Sequence, residues 1–130
     1  MGDPKSQDIE YIEHEGYLEA RFLGNYQLMR FKNQISQSAK ACAERQFDRL
    51  LVDITTVGSY SSASVTDRFE IGMHASKVAL SIARIAVVGT EAQMDPEGFG
   101  ARVAQNRGVR VEIFMNREDA LAWITAPLTK

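Results

Sequence analysis

The chain has 130 residues, 45% hydrophobic and 25% charged, which is sequence enough for one domain around one core. Fifteen Lys and Arg against seventeen Asp and Glu give a net charge of -2, so no basic field exists to hold nucleic acid or anionic lipid. A single cysteine, Cys42, excludes an internal disulfide, and with two histidines it does not make a structural zinc site. The longest apolar stretch, 78–88, contains Arg84 and is too short to span a bilayer. With no apolar export segment near the start, a cytoplasmic location is expected.

Residues 1–8 are polar and carry Gly2 and Pro4, so a flexible lead-in is expected ahead of a single domain over 9–126. Ile9 and Tyr11, then Tyr17, Leu18, Ala20, Phe22 and Leu23, alternate in part around Gly16, predicting two strands joined by a turn. From Tyr26 to Gln46 the positions Leu28, Phe31, Ile35, Ala39 and Cys42 follow a helical period, with Gln34 assigned to the outer side. Arg49–Ile54 reads as a buried strand. Ser64 and Asp67 form a helix-start signal, and Val65, Phe69, Met73, Ser76 and Leu80 trace the expected inner face of a second helix. Arg84–Val88 is another buried strand, Asp95-Pro96-Glu97 opens a third helix, and Gly108 closes it. Arg110–Phe114 is the last strand. Asn116 with Asp119 caps a final helix that Pro127 ends.

Alternation of strands and helices predicts an α/β layer fold with a mixed, mostly parallel sheet of about five strands and four helices. Right-handed crossovers then gather the functional loops at the carboxyl ends of the strands.

The hydroxyl-rich segment 55–64 precedes the second helix, where free N–H groups favour negative charge. Ser59, Ser61, Ser62 and Ser64 are the candidate anion or recognition residues of this loop, with Ser64 as the cap. On the helix, Asp67, Glu70, His74 and Lys77 fall on one stripe, expected to face solvent. Ile71, Ala75 and Val78 beside it are left outside by the inner-face assignment, and with His74 they form the expected partner-docking patch. Cys42 lies in the apolar seam of the first helix as a small hydrophobe. Gly98 and Gly100 suit close helix packing better than a phosphate loop.

Leu51-Val52-Asp53-Ile54 at a strand end, Thr66–Gly72 in the next helix, Ala104-Gln105-Asn106-Arg107-Gly108 and Glu118–Trp123 together resemble the STAS-like fold of anti-sigma factor antagonists, and more closely the small stand-alone SpoIIAA-like bacterial proteins. The resemblance covers most of residues 17–124. In the antagonists an Asp-Ser-Ser-Gly element after this strand is phosphorylated on its first serine, and the resemblance places Ser62 there. Here Ser61 stands for the Asp, Ala63 for the second Ser and Ser64 for the Gly. No Ser-His-acid order, paired carboxylates or metal-ligand spacing stands out in the sequence, so a non-enzymatic module without cofactor or metal is expected; the resemblance also implies protein-partner contacts, a second copy included, on loop 55–64 and the following helix. The alternative is a small carrier holding a lipophilic or anionic ligand at the strand ends, lined by Tyr60, Phe69 and Met94.

Overall fold

The computed structural model describes residues 8–60, 63–95 and 97–127. Strands β1 (Ile9–His14) and β2 (Tyr17–Phe22) form an antiparallel hairpin whose turn uses Gly16 at φ 92°. That backbone geometry is open to glycine and strained for other residues. Strands β3 (Arg49–Asp53), β4 (Arg84–Val88) and β5 (Val111–Phe114) follow β2 in parallel, giving one sheet in the order β1-β2-β3-β4-β5.

Each parallel strand lies beside the one before it, always stepping in the same direction. Right-handed crossovers therefore carry α1 (Leu28–Arg45), α2 (Val65–Val78) and α3 (Phe99–Asn106) to one face of the sheet. Helix α4 (Arg117–Thr125) follows the last strand and folds back over the other face. Alternation along β2 shows the division: Leu18, Ala20 and Phe22 join the larger core under α1–α3, while Tyr17 joins the smaller one under α4.

Local chemistry sets the helix ends. Ser64 Oγ accepts the N–H of Asp67 at 2.9 Å, and Asn116 Oδ1 accepts that of Asp119 at 3.1 Å. Each satisfies a free donor of its first turn. Gly108 ends α3 at φ 100°, as its position in the sequence implied. The start of α3 differs from expectation. The Asp95 carboxylate accepts N–H bonds from Glu97 at 3.0 Å and Phe99 at 2.9 Å, organising a turn ahead of the helix, which begins only at Phe99. In α1, Gln34 is buried instead of exposed; its Nε2 donates to the carbonyls of Asp8 at 2.8 Å and Leu23 at 3.2 Å, tying the helix to both ends of the hairpin.

Helix α2 departs from the sequence expectation on both faces, although Met73 and Ser76 of the expected inner face stay half-buried. Val65 and Phe69 are 70% and 44% exposed and Leu80 is also exposed, whereas Ile71, Ala75 and Val78 pack against the core. Helix α2 sits between α1 and α3 above the sheet, and its crossing with α3 is close. A Cβ on Gly72 would lie 2.6 Å from the Gly100 carbonyl oxygen and 2.8 Å from Val103 Cβ. Close approach selects the line of small residues Gly72, Ala75 and Ala79 as the inner side and turns the bulkier Phe69 out, where its ring meets Phe99 at 6.5 Å.

Candidate functional site: an apolar cavity above the sheet

Three helices over a twisted sheet do not fill the space between them. A cavity of about 160 Å³ lies between the helical face of the sheet and α1, α2 and α3. Its floor is the inward set of β3, β4 and β5, including Leu50, Val52, Ile54, Ile85, Val87 and Val111. Its walls come from Ile35 and Ala39 of α1, Ile71 and Ala75 of α2, and Ala101 and Ala104 of α3. Short side chains on all three helices create the room. The volume is close to that of a dry protein cavity able to take a benzene ring, about 150 Å³. Along the chain the floor extends from Leu50 on β3 to Ile54 just past its end, and across the sheet it reaches Val111 on β5.

Polar groups gather at the end near the strand carboxyl termini, where Tyr60, Arg68, Gln93, Met94 and Asp95 line the cavity. Gln93 belongs to a short 3-10 turn, Glu91–Gln93, that the sequence reading did not anticipate. Its Nε2 donates to the carbonyls of Ile54 at 2.7 Å and Val57 at 3.1 Å, and its Oε1 accepts Thr90 N–H at 2.8 Å. That side chain is fully engaged in holding two loops together. The Tyr60 ring packs against Phe31 and Tyr26 at 5.1 and 5.3 Å, and burial pushes its phenol above the usual range. Over the same ring, at 5.2 Å, lies the Arg68 guanidinium, whose Nε donates to the Ala63 carbonyl at 3.2 Å.

One polar group lies deeper. Ser38 on α1 lines the cavity with no exposed surface, and its Oγ has no hydrogen-bond partner of normal geometry among the described residues. An unmet buried hydroxyl costs about 1–3 kcal/mol. The nearby Tyr11 phenol feels Ser38, which partly offsets the rise that burial imposes on it.

Of the residues expected at a ligand pocket, Tyr60 and Met94 do line this cavity; Phe69 does not, because α2 turns it outward. The expected docking patch is dismantled by the same rotation. Ile71 and Ala75 are cavity wall, and Val78 packs on the core. His74 is half-buried and shares a 2.6 Å hydrogen bond with Ser36 of α1. Burial, with Lys32 close by, lowers its pKa. Of the stripe read as solvated, Glu70 and Lys77 are exposed as expected, while Asp67 and His74 are half-buried; Asp67 accepts the Tyr26 hydroxyl at 2.9 Å, and Glu70 pairs with Lys32 at 3.3 Å. Burial and the Asp67 hydrogen bond together push the Tyr26 phenol up. Of the loop serines, Ser64 is the cap and Ser59 is exposed with φ 62°; Ser61 and Ser62 lie outside the described residues. Cys42 is buried, and burial raises its thiol to about 11, an unreactive state at neutral pH.

A charged cluster on the opposite face escaped the sequence reading. Glu19, fully buried on β2, receives Arg117 at 2.7 and 3.1 Å, Arg21 at 3.2 Å and a 2.8 Å bond shared with His14. Burial raises the pKa of the carboxyl, but these bonds, Arg117 foremost, bring it to about 2. Arg49 and Arg84 donate to main-chain carbonyls at the far end of α4, Arg49 reaching Ile124 at 2.7 Å and Ala126 at 2.9 Å. Both ends of α4 are thus tied to the sheet by side-chain charge.

No family model matches the chain, and no curated protein does. Four chains among solved structures match it. One is an uncharacterized protein of the DUF3478 family with a SpoIIAA-like fold from Shewanella loihica PV-4, 20% identical, covering 89% of this chain and 91% of its own, with a TM-score of 0.50. The fold is therefore SpoIIAA-like, a five-stranded mixed sheet with four helices. No helix among the described residues is long and apolar enough to cross a membrane.

Proposed function

We propose that this chain is a non-catalytic binding module that holds a small lipophilic ligand between the sheet and helices α1–α3. The observation that carries the reading is the cavity of about 160 Å³, lined mostly by hydrocarbon and bordered by polar groups near the strand carboxyl ends. That pattern fixes a ligand's orientation while its apolar body supplies the affinity. The volume favours a slender molecule over a full-sized phospholipid. Native mass spectrometry of the protein purified from cells tests it: the expected spectrum contains the chain plus a ligand, and the extra mass disappears when Ala75→Leu fills the cavity. A bare chain, with no rise in melting temperature on adding medium-chain alcohols, overturns the reading.

A second reading, a protein contact on α2, is favoured by the exposure of Val65 and Phe69 beside Phe99. Self-association through this patch would be lost in Phe69→Asp; a sedimentation profile that is monomeric for both proteins removes self-association as the explanation of the patch.

A further inference from the structure

The chemistry at the polar end of the cavity narrows the class of ligand, given the binding reading above. Among the described residues, two charged side chains line the cavity, Arg68 and Asp95. They are not equivalent. The Asp95 oxygens are engaged by the N–H groups of Glu97 and Phe99, at 3.0 and 2.9 Å. Among the described residues Arg68 donates through Nε to the Ala63 carbonyl and makes no ion pair within 4 Å, although its charge acts on nearby Asp95. Its remaining donors form the planar fork that matches a carboxylate. The Tyr60 ring under the guanidinium restricts its movement, so little order is lost when an anion is taken up.

We infer that the cavity is built for a slender monocarboxylic acid of medium length, with its carboxylate on Arg68 between Tyr60 and Asp95 and its alkyl body running over β3–β5. Three features select this class. A volume of about 160 Å³, near that of a cavity that takes one benzene ring, suits a medium-length chain better than a fused ring system. The Asp95 charge, held by two main-chain N–H groups, opposes any anion here and a dianion more than a monoanion, so one cation beside it suits a single negative charge. The buried Ser38 hydroxyl, beside the Tyr11 phenol, lies along the same cavity and can turn to donate to an oxygen carried on the acid's chain, so hydroxy- or oxo-acids fit as well as simple ones.

Calorimetric titration of the full chain with octanoate and, separately, with octanol tests the assignment. The two probes share their apolar body and differ in charge. The expected result is that octanoate binds at least about 10-fold more tightly than octanol, the advantage of a charge-assisted pair over a neutral hydroxyl. In Arg68→Leu that ratio falls to about one, in Arg68→Lys part of it survives, and in Ala75→Leu both probes lose affinity. Equal binding of the probes by the native chain, or an unchanged ratio in Arg68→Leu, overturns the acid assignment while leaving the cavity reading standing. Failure of the native chain to bind either probe overturns the cavity reading and the assignment with it.

Discussion

Above the sheet, α1–α3 stand over Leu50, Val52 and Ile85 and leave a cavity; below it, α4 lies on Leu51, Ala86 and Val88 with Ala120 and Ile124 fully buried. The upper side is held by apolar contact, by the close α2–α3 crossing at Gly72 and Gly100, and by polar bonds that run mainly between the α1 segment and α2. The lower side adds charge: Glu19 fastens the start of α4 through Arg117, and Arg49 and Arg84 fasten its end. A sheet held firmly on one face can remain underpacked on the other without losing its shape, and that is the condition for a preformed site.

The largest expected effect separates the two sides of α2. Ile71→Asp should cost about 3 kcal/mol, because it places an unpaired charge in the cavity wall, while Phe69→Asp should stay within about 0.5 kcal/mol. Urea denaturation of both variants checks this, and similar losses would return α2 to the orientation its larger side chains suggest. Next is Arg117→Ala, expected to cost about 2 kcal/mol; Arg117 is 39% exposed, so solvent screening keeps the loss below that of a fully buried pair. Replacing Glu19 by Leu together with Arg117→Leu should recover most of the stability, since no charge is then left buried alone.

Acid titration sharpens the same point. The Glu19 carboxyl is held at about 2, below its value near 4.3 in an unfolded chain. A carboxyl with a lowered folded pKa stabilises the fold above the unfolded value and loses that contribution as pH falls. Stability should therefore decline between about pH 5 and pH 2, with a visibly shallower decline in Glu19→Gln. An identical acid limb in that variant would show that other groups govern it. The smallest effect probes packing. Ala75→Leu, which enters the cavity, should be neutral or stabilising by up to about 1 kcal/mol, whereas Ala120→Leu on the filled side should cost about 1–3 kcal/mol. Equal costs would mean that the two sides are equally full.

How much of this was legible from sequence follows from the range of each signal. Strand β4 runs Arg84–Val88 as expected, and Ser64, Asn116 and Gly108 act as the helix signals implied, because caps and short apolar runs are decided within a few residues. The orientation of α2 was not legible. Apolar residues lie on both of its sides, and the choice is made by a glycine contact with α3, far along the chain. Tyr60 and Met94 were recognisable as pocket residues from the rule that ligands gather at strand carboxyl ends. The cavity itself arises from alanines and glycines that look like ordinary helix formers singly. Glu19 and Arg117 are 98 residues apart, and in sequence Glu19 looks like an outward position of a half-exposed strand.

The most direct measurement is an NMR titration with octanol, following methyl and amide signals on both sides of the sheet. Shifts should concentrate at Ile35, Ile71, Val87 and Ala104 and leave Leu51, Ala120 and Ile124 unmoved. Shifts centred on the α4 side, or none at all, would contradict a binding cavity under α1–α3.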